Sequence, residues 1–244
     1  LARKTRPARH TGTRADLLRG GVACGLALFC GVSFQQVGIQ YTSAGKAGFI
    51  TALYMLLVPL FGLFLRKPVT RRIWLGVALG LTGLDLLTVT GGFSIGAGDL
   101  IVLCGTAFWA IHILLIDHYA PKVDGRKMAF LQFFIAALIS AVVAVFTETI
   151  QFASILNAAG PILFGGIMVV GVAYTLQIFG QKTANPAVAA IILSLESVIA
   201  VISGMLLLGE VMSPREIAGC VFMFAAVLIA EAKPQPQPAP SGAA

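Results

Sequence analysis

The sequence predicts an all-α membrane protein, a polytopic bundle of membrane-spanning helices. Hydrophobic residues make up 58% of the 244-residue chain and charged residues only 11%, whereas ordinary soluble domains carry roughly 25% charged residues. Long stretches such as 20–40 and 160–181 contain no charged side chain. A hydrocarbon core of about 30 Å needs roughly 20 helical residues at about 1.5 Å each, so these stretches are long enough to cross it. The composition therefore excludes a water-soluble fold.

Eight spanning segments follow from the apolar runs and from the signals that begin helices. Asn185 precedes a proline, which predicts a capped helix start, and Ser213 with Glu216 has the spacing of a capping box. Asp99 and Asp124 are weaker caps. The predicted segments, numbered one to eight, are 20–41, 44–66, 71–91, 98–119, 126–147, 160–182, 185–209 and 213–231. A kink is expected in segment two, because a proline interrupts it.

The distribution of basic residues predicts the orientation. With alternating segments, all of the 17 Lys and Arg residues except Lys46 and Arg215 fall on one side, and the basic side is normally cytoplasmic. We therefore expect both ends of the chain to be cytoplasmic. The expected location of the protein is the plasma or inner membrane of the cell. Residues 1–19 read as a basic cytoplasmic loop, because they lack the apolar core of a signal peptide. Residues 232–244 read as a disordered, Pro-rich tail.

An internal repeat relates the two ends of the chain. FQQVG at 34–38 matches LQIFG at 176–180 at a shift of 142, and further identities downstream occur at a shift of 143. Segments one to three then correspond to segments six to eight, which predicts two further helices before Leu1 and two inverted five-helix repeats in the intact protein. The predicted domains are an incomplete first repeat at 20–92, with three helices, and a second repeat at 97–231, with five.

Several longer motifs resemble those of a known family. They are TSAGKAGFITALYMLLVPL in segment two, WLGVALGLTGLDLL in segment three, GDLIVLCGTAFWAIHILLIDHYA in segment four and LSLESVIAVISGMLLLGEVMSPREIAG across segments seven and eight. In order and spacing they resemble the drug/metabolite transporter superfamily, specifically its ten-helix EamA-type members. The resemblance covers nearly all of 20–231 and departs in the absence of the first two helices. It implies an inverted-repeat bundle around a central cavity.

Glu196 is the strongest candidate for a functional residue. It lies eleven residues beyond Asn185, hence roughly 16 Å deep and near the midplane. A carboxyl group at that depth costs about 2.5 to 3.5 kcal/mol on insertion scales, so it should face a cavity or a partner. We interpret it as a substrate or proton site. The alternative is a structural carboxyl group held by hydrogen bonds.

Other polar residues recur at helical spacing. Gln36 lies in a stripe of segment one, and Tyr174 with Gln177 lies in a similar stripe of segment six, so both stripes are candidates for cavity lining or for interhelical hydrogen bonds. Trp109 and His112 share one face of segment four. The resemblance implies that aromatic residues of segments four and two line the cavity, which adds Tyr54 of segment two to the candidates.

The predicted function is secondary transport of a small organic metabolite by alternating access, as efflux or exchange of a solute such as an amino acid or a drug-like compound. No Walker motif, metal-ligand spacing or cofactor motif is found, and the four cysteines lie inside apolar runs. The expected partners are a small-molecule substrate and the lipid bilayer, without nucleic acid, and a homodimer is left open. Two alternatives remain: an intramembrane serine hydrolase using Ser33 and His112, and a non-transporting scaffold or receptor.

Overall fold

The structure is a computed structural model that describes residues 12–67, 69–88, 96–149, 151–208 and 213–232. Within these ranges all regular structure is helical, which confirms the predicted all-α polytopic class. The helices, in chain order, are α1 (Arg14–Gly38), α2 (Ala44–Ala52), α3 (Tyr54–Phe64), α4 (Arg71–Thr88), α5 (Ala97–Tyr119), α6 (Gly125–Thr147), α7 (Phe152–Asn157), α8 (Ala159–Phe164), a π-helix (Gly165–Tyr174), α9 (Thr175–Gln181), α10 (Pro186–Leu193), α11 (Glu196–Leu208) and α12 (Pro214–Glu231).

Most predicted helix starts agree with the capping chemistry of the structure, although Asp99 is the third residue of α5 and the cap is Gly96. The side chain of Asn185 accepts a hydrogen bond from a backbone N–H of α10, and Ser213 and Glu216 form the capping box of α12. α1 begins at Arg14, six residues before the predicted segment, because Thr13 caps it with a further capping box. The last six residues of the predicted loop 1–19 are therefore helical, whereas the predicted tail lies outside the described residues, apart from residue 232.

Five helical stretches within the described ranges are long and apolar enough to cross a membrane: 14–38, 46–64, 97–119, 125–147 and 159–181. Each corresponds to a predicted segment. The outward surfaces of α6 and of 159–181 are largely apolar and exposed. Such surfaces suit contact with lipid chains, and the chain is an integral membrane protein.

Two predicted segments are interrupted near their centres. Segment two breaks at Leu53, where hydrogen bonds from the N–H of Leu53 to Ile50 and from Leu56 to Leu53 tighten the turn to 3₁₀ geometry. The break precedes Pro59, the proline expected to kink this segment, by six residues, and Pro59 itself lies inside α3. Segment seven breaks in the same way at Ser194, whose hydroxyl donates to the carbonyl oxygen of Ile191 over 2.7 Å.

The most extensive contact between described helices is made by the antiparallel pair of α4 and α12. Gly83 and Gly219 face each other so closely that a Cβ atom added to either would lie 2.7 or 2.8 Å from the carbonyl oxygen of the other. Gly76 makes the equivalent approach to Ala226, with 3.0 Å from its added Cβ to the Ala226 oxygen. Small residues let the two backbones touch, as is typical of packing within membranes.

Candidate functional site

A cavity of about 260 Å³ lies where the broken helices meet the C-terminal part of α1 and the centre of α5. Eight of the described helical elements contribute to its wall: α1, α2, α3, α5, the π-helix, α9, α10 and α11. The lining residues are Gln35, Thr51, Tyr54, Trp109, Ile113, Tyr174, Gln177, Leu193 and Glu196. Five of the seven residues that the sequence predicted for substrate binding are therefore side by side here, although they are far apart in the chain.

The two helix breaks explain how Tyr54 and Glu196 reach the cavity. Each is the first residue after a break, Tyr54 at the start of α3 and Glu196 at the start of α11. The sequence predicted segment seven as one continuous helix, and the tightened turn at Ser194 corrects this. A carboxylate in the first turn of a helix is favoured, because the N-terminal end of the helix carries a partial positive charge.

Glu196 contributes the charged group of the site. The residue is exposed even though helices surround it, because it faces the open cavity. It lines the same cavity as Tyr54 and Tyr174. Among the described residues, no Lys, Arg or His forms an ion pair with it. The carboxyl group is thus available to a solute or a proton.

Aromatic side chains form one side of the cavity. The rings of Trp109 and Tyr174 have centroids 6.1 Å apart and an interplanar angle of 38°. Trp109 rests on Gly31 of α1, where an added Cβ would lie 3.2 Å from the indole ring. Tyr54 is almost completely buried by its neighbours, with 5% of its surface exposed. Because a Cβ atom at position 31 would press against the indole ring, the residue there must be small for Trp109 to keep its place in the cavity wall.

Amide side chains supply neutral hydrogen-bonding groups. Gln35 lines the cavity and donates to the hydroxyl of Thr51 over 3.2 Å, and Gln177 lines it from α9. Gln36, the residue predicted from the polar stripe of segment one, is exposed and lies outside the lining. The internal repeat already distinguishes Gln35 from Gln36, because the alignment of FQQVG with LQIFG pairs Gln35 with Gln177, which also lines the cavity.

His112 also lies outside the cavity lining. It is buried behind Trp109, and its Nε2 atom is 3.1 Å from the side-chain oxygen of Gln132 on α6. The other ring nitrogen, Nδ1, is buried without a hydrogen-bond partner in the described part of the chain. Ser33 therefore makes no hydrogen bond to either ring nitrogen, and the pair required by the serine hydrolase alternative is not formed.

A second, larger concavity of about 710 Å³ opens between the ends of α3 and α5. Its lining is mostly apolar, with Phe64 and Leu65 strongly exposed. Lys67 at its edge is paired with Asp117 at 2.5 Å. Since its polar groups are few and its lysine is already paired, this groove offers less for recognising a solute than the cavity around Glu196.

Comparison with known proteins agrees with this architecture. A model of the EamA-like transporter family matches residues 3–89 and 96–231. A relative from Archaeoglobus fulgidus, described as an uncharacterized transporter, is 34% identical over 212 residues, which cover 86% of this chain and 68% of the relative. A protein of known crystal structure is similar with a TM-score of 0.71 at 20% identity, over 89% of this chain and 85% of that one. The last likeness concerns the fold alone.

Proposed function

The chain belongs to the EamA-like transporter family, and we propose that it moves a small organic solute by alternating access through the cavity around Glu196. The chain is accordingly a transporter rather than an enzyme. The observation that carries the proposal is the convergence of one carboxylate, three aromatic rings and two amides on one cavity inside the bundle, where no described residue forms an ion pair with the carboxylate. Its volume of about 260 Å³ lies just below the roughly 300 Å³ at which ligand pockets usually begin, which favours a small metabolite.

The interrupted helices support a transport cycle. In carriers built from repeats, binding sites lie at discontinuous helices near the midplane, where small rotations open one side and close the other. α2 with α3, and α10 with α11, meet this description, and each break borders the cavity. We propose efflux or exchange driven by the gradient of another solute or of protons, with Glu196 as the proton site.

The inverted duplication is supported by the contact between α4 and α12. Gly76 and Gly219 are 143 residues apart, and so are Gly83 and Ala226. The contact of Gly76 with Ala226 is therefore the counterpart of the contact of Gly219 with Gly83. A two-fold axis in the membrane plane would exchange these two contacts, as expected for inverted repeats.

The proposal is tested by transport into proteoliposomes. The purified chain is reconstituted and screened with a library of small metabolites, and we expect saturable uptake of at least one. Leu193→Trp adds a large ring to the cavity wall and should abolish that uptake. Leu176→Trp is the matched control, because Leu176 is 62% exposed on the outer surface, and it should transport normally. Equal uptake by both variants would show that the solute takes another route.

A further inference from the structure

The chemistry of the cavity wall points to the charge of the solute. We propose that the cavity selects a small organic cation, with an ammonium group placed between the Glu196 carboxylate and the aromatic rings. This inference rests on the proposed function, since it takes the cavity to be the transport site. It goes further by naming the class of solute.

The charge balance of the lining is the first argument. Among the described lining residues Glu196 is the one charged side chain, and none carries a positive charge. An anionic solute would meet a carboxylate here without any compensating cation. A zwitterion such as an amino acid would pair its ammonium group but leave its own carboxylate beside neutral amides. A solute that carries only a positive charge neutralises the carboxylate and brings no unpaired negative charge into the cavity.

The aromatic rings are the second argument. The faces of tryptophan and tyrosine attract cations within about 6 Å of the ring centre, and cages of such rings recognise quaternary ammonium groups. The ring centroids of Trp109 and Tyr174 lie 6.1 Å apart and the ring planes are tilted by 38°, so the two rings are neighbours in the wall without being stacked in parallel. Both rings line the same cavity as Glu196, and Tyr54 completes the wall.

The remaining groups suit the rest of such a molecule. The hydroxyl of Thr51 is engaged by Gln35, whereas the Gln177 amide has both a donor and an acceptor to offer. Ile113 and Leu193 supply apolar surface. A volume of about 260 Å³ corresponds to roughly nine water molecules at about 30 Å³ each, so the solute has on the order of ten non-hydrogen atoms.

Fluorescence of Trp109 offers a direct binding measurement. The chain has two tryptophans, so the variant Trp74→Phe leaves Trp109 as the reporter. The full chain in lipid nanodiscs is titrated with choline and phenethylamine, and with their uncharged counterparts, the carbon isostere of choline and phenethyl alcohol. We expect saturable quenching by at least one cation, with an affinity at least tenfold higher than that of its uncharged counterpart.

Substitutions then assign the selectivity. Glu196→Gln, which is nearly isosteric, should reduce the tenfold preference to about onefold, and Glu196→Asp should keep most of it. Glu148→Gln is the control, because Glu148 is exposed at the end of α6, outside the cavity, and it should bind as the parent does. The inference is supported if the preference for the cation is lost in Glu196→Gln and kept in Glu196→Asp and Glu148→Gln. Glu196→Asp keeps the charge, so it separates loss of the charge from any other effect of a substitution at this position.

Two outcomes of the binding measurement overturn the inference. One is that neither cation binds saturably or that the cations bind no better than their uncharged counterparts, and the other is a preference for the cations that survives Glu196→Gln. If the metabolite screen finds a transported anion or neutral solute with which neither amine competes, the cation inference fails while the transporter proposal stands. If a folded protein transports no solute, the proposed function fails instead.

Discussion

Replacement of Glu196 by glutamine should uncouple transport from a pH gradient. Glu196 is the one carboxyl group among the described residues of the cavity lining. A carrier that binds its solute and its proton there would move one proton for each solute molecule. Glutamine is almost the same size and still forms hydrogen bonds, so it removes the proton site with little change in packing.

The expected magnitude follows from the single site. A proton moving through one pH unit releases about 1.36 kcal/mol, which corresponds to a tenfold ratio of solute concentrations across the membrane. A gradient of two units should therefore give a ratio of about one hundred at steady state. In Glu196→Gln the ratio should fall to about one under either gradient, because the remaining lining groups do not titrate near neutral pH.

The assay is accumulation of a radiolabelled solute in proteoliposomes with imposed gradients of zero, one and two pH units. Counterflow exchange without a gradient checks that the variant still binds and moves the solute. Glu148→Gln is the matched control and should retain the full dependence on pH. A folded Glu196→Gln protein that still accumulates solute tenfold for each pH unit would refute the assignment of the proton to Glu196.

Two further predictions concern the choice between Gln35 and Gln36 as cavity residues and the topology of the chain in the membrane. Gln35→Leu should weaken solute uptake by about fivefold, since one hydrogen bond contributes about 1 kcal/mol, whereas Gln36→Leu should have little effect. A larger loss of uptake in Gln36→Leu than in Gln35→Leu would contradict the cavity geometry. Single cysteines at Gly96 and Arg126, in a background without the native cysteines, should react with impermeant thiol reagents from opposite sides of the membrane. Labelling of Arg126→Cys from the cytoplasmic side would support the proposed orientation, and labelling of both from one side would contradict it.

The sequence allowed the fold class, the positions of eight segments and most helix starts to be predicted, because these are local properties. Hydropathy is summed over about 20 consecutive residues, and a capping box such as Ser213 with Glu216 involves four. The transporter family could likewise be recognised from ordered motifs. The functional roles of the candidate residues remain predictions.

The composition of the cavity depended on tertiary structure. Adjacent residues of a helix point about 100° apart, so a small rotation of α1 decides that Gln35 rather than Gln36 faces inward. His112 shares a helix face with Trp109, yet its Nε2 atom is hydrogen-bonded to the side chain of Gln132 on α6 and its ring lies outside the cavity lining. The break that brings Glu196 to the start of α11 is a change of a single turn within a segment that hydropathy alone treats as one helix. Hydropathy determines which segments enter the membrane, whereas the packing of neighbouring helices determines which side chains meet.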